Sequence, residues 1–293
     1  MRAIVVGAGL AGLAAGDELL RAGVDVEGFE ARDRVGGRIW SVPFAGAVAE
    51  CGAEFILPEE TELTATAKRM GLRLVRKGTL YGDRESRGAE EVSSAEMAAA
   101  LGGITARAPG VGHRTAAAAL ERSGLRPAVL EAIRARVEVS CAHSAEDLDA
   151  SVLWSAGTSF GEFDSHTLEG GNGTLTDALA DSLGDALHLG VPVTRVSRVG
   201  SQVRVLAGER DAAADAVIIA VPPMVIGAIA FDPPLPAVKL AALRSLRFGQ
   251  AAKLFVGLRS PAPPSAAISV PDRFWCYTQL GADGDPLPFV AAF

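Results

Sequence analysis

Cysteine, histidine, lysine and aromatic residues are all scarce in this 293-residue chain, and each scarcity closes off a class of chemistry. The three cysteines, Cys51, Cys141 and Cys276, are odd in number, far apart and outside any CxxC pattern, which argues against a disulfide framework and a zinc site and fits a reducing cytoplasm. The four histidines, His113, His143, His166 and His188, lack ligand spacing and adjoin no serine or cysteine nucleophile motif, so they read as structural or surface residues and no metal is expected. No run reaches about 18 uninterrupted apolar residues, which leaves no candidate transmembrane helix. Basic clusters are missing too. With a formal charge of -7 there is no electrostatic reason to expect nucleic acid or an anionic membrane surface as partner. What is present, 49% hydrophobic and 22% charged residues, is a globular mix long enough for one large or two ordinary domains.

The N-terminal stretch superficially looks like a signal peptide, but its apolar run is broken at Gly7 and Gly9 and reads as mature structure. Ala3 to Val6 form a short apolar run of the kind that makes a buried parallel strand, and they lead directly into Gly7-Ala8-Gly9-Leu10-Ala11-Gly12. This is GxGxxG between a strand and a helix. Gly7 permits a tight turn, Gly9 lets the backbone approach a pyrophosphate, and Gly12 lets the helix lie close on the sheet. The first helical turn, with Leu10 and Ala11, presents N–H groups and partial positive charge to the phosphates. The helix is expected to run to about Arg21 and stop at Gly23, and a strand from Val24 to Phe29 ends in Glu30 followed by Ala31. An acid there accepts hydrogen bonds from ribose hydroxyls and repels a 2′-phosphate, so FAD or NAD is implied and NADP disfavoured.

A second glycine-rich, basic loop follows, Arg32-Asp33-Arg34-Val35-Gly36-Gly37-Arg38. From Gly7 to Arg38 the chain resembles the start of the flavin-containing amine oxidase family, which includes monoamine, polyamine and L-amino-acid oxidases. That resemblance selects FAD over NAD. It implies that Gly36 and Gly37 let the backbone pass close to the cofactor and that Arg38 neutralises phosphate charge. Downstream matches keep family order. Glu50-Cys51-Gly52-Ala53-Glu54-Phe55 resembles the strand beside the flavin ring, with Gly52, Ala53, Glu54 and Phe55 as candidates. Leu168 to Leu175 resembles a glycine doublet before a helix, where Thr174 and Asp177 are spaced as a capping box and Leu175, Leu179 and Leu183 mark one face. Val191 to Leu206 reads as a hairpin turning at Gly200-Ser201, and Val193 matches the valine that holds the adenine through its backbone. Asp215 to Val221 reads as a buried strand ended by Pro222 and Pro223.

Only four lysines occur, Lys68, Lys77, Lys239 and Lys253, among 28 basic residues, so 24 are arginine. Lys253, in the apolar segment Leu246 to Val256, matches the family lysine that holds a water over the flavin, and it is the candidate catalytic residue. Trp154, Trp275 and Tyr277 read as core aromatics rather than as pocket walls. The expected fold is α/β: a Rossmann-like FAD/NAD(P)-binding domain of glutathione-reductase-like flavoprotein type (1–57 and 165–232) with an inserted α+β substrate domain (58–164 and 233–293). Within the insertion, residues 94–101 and 115–139 lean helical, with Val129, Ile133 and Val137 on one face.

The resemblance implies hydride transfer from an amine or amino-acid C–H to FAD, with reoxidation by dioxygen. A desaturase-like enzyme using another acceptor and a catalytically silent FAD-binding subunit stay open; an NAD-dependent dehydrogenase ranks below them. Family members continue beyond this point, whereas here the sequence stops in the apolar run Pro288 to Phe293. That makes the expected fold C-terminally incomplete, with an apolar strand edge left exposed or covered by a second chain. The expected partner is otherwise a small-molecule amine or other hydrophobic reductant.

Overall fold

A computed structural model describes residues 1–80, 84–88, 90–107, 115–154 and 164–293. The first strand, β1 (Arg2–Val6), is fully apolar after Arg2, and its side chains are buried. Helix α1 (Leu10–Arg21) returns the chain to β2 (Asp25–Phe29), which lies parallel to β1. The parallel sheet is completed by β8 (Leu187–His188) beside β2 and β12 (Ala216–Ile219) beside β1. The expected strand–glycine turn–helix–strand unit is therefore present, with Glu30 one residue past the tip of β2.

Helix α6 (Gly173–Leu183) packs against α1, and its buried Leu175 and Leu179 share a core with Leu13. Close approach is required here. A methyl on Gly16 would lie 2.8 Å from Leu183 Cδ2. At the same seam Asp17, buried on α1, is paired with Arg69 at 2.6 Å from helix α2 (Thr61–Arg69). Below the parallel sheet lies an antiparallel layer of β11 (Arg210–Ala214), β10 (Gln202–Ala207) and β9 (Val193–Val199), joined in parallel by β13 (Ala230–Asp232). Val196, Val205 and Ala207 from this layer pack on Ile4, Val6 and Phe29.

The second large sheet has the order β14 (Leu254–Gly257), β17 (Phe289–Ala292), β16 (Phe274–Thr278), β15 (Ser265–Ser269) and β6 (Glu85–Arg87). Helices α3 (Ser94–Arg107), α4 (Ala116–Glu121) and α5 (Pro127–Cys141) form one core with it, centred on Ile133, Val137, Ile268 and Tyr277. Local signals set these helices: Thr115 caps α4 by accepting from Ala118 N at 3.2 Å, and α5 starts on Pro127. Two ribbons, β3 (Ser41–Phe44) with β4 (Ala47–Glu50) and β5 (Leu74–Leu80) with β7 (Asp164–Leu168), connect the layers. Helix α7 (Ala237–Ser245) lies on the surface. None of the described helices is long and apolar enough to cross a membrane.

Three features of the fold differ from expectation. Thr174 and Asp177 form no capping box: α6 begins at Gly173 after Asn172, and the Thr174 hydroxyl donates to Gly171 O at 2.7 Å. The segment around β12 is half-buried rather than buried, since among the described residues only β1 pairs with it. The strand β17 leaves no exposed edge, because its antiparallel return places it between β14 and β16, with Phe289 and Ala291 buried. The exposed apolar edge is β14, where Leu254 is 62% and Val256 48% exposed. The helix-leaning stretch 115–139 forms two helices, separated at Arg122 to Arg126 around Gly124, whose φ is +73°. His113 and the Trp154 side chain lie outside the described residues.

Candidate functional site

The site forms where β1, β2 and the loop after β2 end on one side of the parallel sheet. Gly7 adopts φ +101°, and a methyl there would meet Ala220 O at 2.9 Å, so the turn accepts only glycine. Gly12 is demanded by packing: its missing Cβ would fall 1.9 Å from Gly7 O. Gly9 differs from both, because nothing lies within 4 Å of its missing Cβ. It is the N-cap of α1 with no side-chain cap, and the first turn carrying Leu10 and Ala11 holds no acidic residue. An uncapped, open, electropositive helix start suits a diphosphate.

The second glycine loop lies directly on the first. Gly36 N donates to Ala8 O at 2.9 Å, and a methyl on Gly37 would sit 3.2 Å from Gly9 Cα. Arg34, not singled out from the sequence, braces this loop from within. Its guanidinium donates to Val35 O at 3.0 Å and Gly37 O at 2.9 Å, and it stacks over Trp40. Arg38 is exposed beside it. Glu30 faces the junction. Its Oε2 accepts from Ala8 N at 2.7 Å and its Oε1 from Arg32 N at 3.0 Å, leaving about half of its lone-pair sites for ribose hydroxyls. Ala31 is exposed next to it. Val193 opens β9 close by, for Val191 N donates to Glu30 O at 2.8 Å.

Residues 51 to 53 run along the same loop: Cys51 N donates to Trp40 O at 2.7 Å and Ala53 N to Arg38 O at 2.9 Å. A methyl on Gly52 would collide with Arg38 O, so this close pass also requires glycine. Asn172, buried before α6, locks the segment by donating to Ala53 O at 3.1 Å and Glu54 O at 2.9 Å while accepting from Leu168 N at 3.0 Å. The Phe55 ring joins the core, 5.5 Å from both Trp275 and Tyr277.

Glu54 and Lys253 are brought together in a way their spacing does not reveal. Lys253 lies one residue before β14 rather than inside a strand. Its Nζ donates to Glu50 O at 2.8 Å and to Glu54 Oε2 at 2.5 Å. Lys77, from β5, pairs with Glu54 Oε1 at 3.0 Å, and Tyr277 donates its hydroxyl to Glu54 Oε2. Burial alone would raise the Glu54 carboxyl, but the Lys77 and Lys253 ammonium charges and the hydrogen bonds from Lys253 and Tyr277 outweigh it and hold it at about 2. Burial followed by the Glu54 charge pushes Tyr277 well above the ordinary phenol range. Glu50 is likewise raised by burial, against hydrogen bonds from Asn172 N and Ser41 Oγ. The scarcity of lysine was the one signal that could have marked Lys77. Among the described residues, no three or more His, Cys, Asp or Glu side chains gather as a metal site.

The model of the family described as flavin containing amine oxidoreductase matches residues 10–99 and 133–286. The Mycobacterium tuberculosis protein AofH, a flavin-containing monoamine oxidase by name, is 32% identical over 273 residues, covering 80% of this chain and 59% of that protein. The putrescine oxidase of Kocuria rosea is 28% identical over 285 residues, with the same coverage of 80% and 59%. The chain thus spans 59% of the length of these curated relatives. Among solved structures, putrescine oxidase bound to putrescine superposes with a TM-score of 0.83 at 23% identity, over 100% of this chain and 75% of that one. Cyclohexylamine oxidase from Brevibacterium oxydans IH-35A gives 0.84 at 21% identity with the same coverage, 100% and 75%. The fold is that of these proteins, a Rossmann-like FAD-binding α/β fold.

Proposed function

This chain belongs to the flavin-containing amine oxidoreductase family, and on that premise we propose that it oxidises a small amine or amino acid at the C–H beside nitrogen, with dioxygen as final acceptor. Its cofactor is FAD. The observation that carries the reading is the contact of two glycine turns, Gly36 N to Ala8 O at 2.9 Å, with the Glu30 carboxylate at their junction. Gly9 and the uncapped α1 start would hold the pyrophosphate, with Arg38 adding charge, and Glu30 would take the ribose hydroxyls. Val193 would hold the adenine, and the backbone of Gly52 to Phe55 would line the ring. Bound FAD supplies the two-electron acceptor. Lys253, with two of its three donors committed, would offer the third to a water at the reacting face. The cytoplasm is the compartment that fits three free cysteines.

A second reading, an FAD-binding piece that is silent until the rest of the family fold is supplied, is favoured by the exposed apolar residues Leu254, Val256, Met224, Val225 and Val238. One experiment separates the two. The purified chain is titrated with FAD, its visible spectrum is recorded, and putrescine and aromatic amines are added anaerobically. Bleaching of the flavin bands supports the oxidase, unbleached yellow protein the silent piece, and colourless protein that takes up no FAD refutes both. In an active protein Lys253→Met slows reduction or reoxidation while the fold persists.

A further inference from the structure

The Glu54 carboxylate is the most heavily engaged side chain of the site, and its bonds come from distant parts of the chain. Its side chain is 1% exposed, and each oxygen has two partners: Oε1 meets Lys77 Nζ at 3.0 Å and Gln279 Nε2 at 3.0 Å, while Oε2 meets Lys253 Nζ at 2.5 Å and the Tyr277 hydroxyl. Lys77 is itself only 3% exposed and lies over the Phe55 ring, 5.3 Å from its centroid. Its backbone is tied to the same corner, since Leu280 N donates to Lys77 O at 2.7 Å. Lys253 is the member that reaches the surface, at 13% exposed, and its third N–H has no partner among the described residues.

Two ammonium groups, Lys77 buried and Lys253 half-buried, share the one Glu54 carboxylate, and burying charges costs several kcal/mol per ion unless they are fully paired. A carboxylate gripped from one side only could swing with Lys253. Gripped on both oxygens, it cannot. We propose that Glu54 and Lys77 are positioning residues for Lys253: Lys77 anchors the carboxylate through Oε1, and the carboxylate in turn fixes the Lys253 ammonium through Oε2 with one N–H left uncommitted. This rests on the flavin reading of Lys253 given above. The other groups facing the cluster are Tyr277 and Gln279 from the β16 side, Glu50 from the end of β4, and Arg84 beside Tyr277.

The test removes the charges singly and reads the sign of the response. Lys253 is followed by lysine Nζ NMR in the FAD-free chain, and the pH profile of flavin reduction and reoxidation is followed in the FAD-loaded protein. Glu54→Gln takes away the counter-charge, so the Lys253 titration and the matching limb of the profile move to lower pH by at least about one unit, tenfold in proton concentration. Lys77→Met takes away a like charge, and both move to higher pH. Should Glu54→Gln not fold, the double variant Glu54→Gln/Lys77→Met removes the fully buried pair and leaves only the half-buried Lys253 ammonium without its carboxylate, and it too moves the titration down. A packing role would lower the melting temperatures and leave the titrations in place. That outcome, or shifts of one sign in both single variants, overturns the proposal. Failure to take up FAD would sink the function reading, and the NMR measurement would still decide this one.

Discussion

Substituting alanine at Gly12 and at Gly9 should have opposite consequences, although both belong to the same hexapeptide. At Gly12 the new methyl would sit 1.9 Å from Gly7 O and 3.2 Å from Ala220 Cβ. Ordinary contact needs about 3.5 Å, so α1 must lift from the turn by roughly 1.5 Å. The obstacle is backbone and cannot swing aside. Gly7 N is bonded to Phe29 O at 2.8 Å, and Gly16 rests against Leu183 further along the helix. Overpacking of this kind costs up to about 3 kcal/mol, offset by about 1 kcal/mol from the helix preference of alanine over glycine. The net loss of about 2 kcal/mol lowers the melting temperature by roughly 5 °C. At Gly9 there is open space and φ is -73°, so alanine changes stability by less than about 1 kcal/mol. Its methyl instead occupies the approach of the pyrophosphate, and FAD affinity falls at least tenfold, about 1.4 kcal/mol. Thermal melts by circular dichroism and FAD titrations by fluorescence quenching check both halves. A Gly12→Ala protein melting with the wild type, or a Gly9→Ala protein binding FAD normally, would refute this division of labour.

Three further outcomes are expected. The Glu54 carboxyl, held at about 2 against an ordinary 4.5, contributes stability that is complete above pH 4.5 and lost as pH falls towards 2, on the order of 3 kcal/mol; Lys77→Met raises the folded value, so acid melts of that variant fall off at higher pH than those of the wild type. Asn172→Ala leaves Leu168 N, Ala53 O and Glu54 O without their side-chain partner and costs at least about 2 kcal/mol, measurable by urea unfolding. Arg38→Ala, at an exposed position, stays within about 0.5 kcal/mol of wild-type stability but weakens FAD binding more at low salt than at high salt, as titrations at two ionic strengths would show.

Much of the nucleotide-binding half was legible because its signals are local. Strand β1, helix α1 and the tip of β2 follow one another within 30 residues, and Gly7 and Gly12 each have a turn or contact that dictates glycine. The buried face Leu175, Leu179 and Leu183 and the face Val129, Ile133 and Val137 followed from helical period alone. The capping box failed for a physical reason. The Gly170-Gly171 turn carries positive φ at both residues and delays the helix to Gly173, so the Thr174 hydroxyl turns back to Gly171 O. The place of β17 inside its sheet could not be read either, since strand order depends on pairings between β14, β16 and β17 that alternation within each strand does not encode.

The ionic cluster was hidden for the same reason, at longer range. Tyr277 lies 223 residues from Glu54 and Gln279 lies 225, and no spacing rule spans such a gap. Yet the cluster distinguishes this corner from the rest of the core. Leucines of similar volume would fill the space without the desolvation cost of three charges, and such replacements are often neutral or stabilising. The fold therefore does not need Lys77 and Glu54 to cohere around β5 and β16. What leucine could not supply is an acceptor for the ammonium at the end of segment 52 to 54, where Lys253 donates to Glu54 Oε2 and to Glu50 O while Lys77 and Gln279 engage the other Glu54 oxygen.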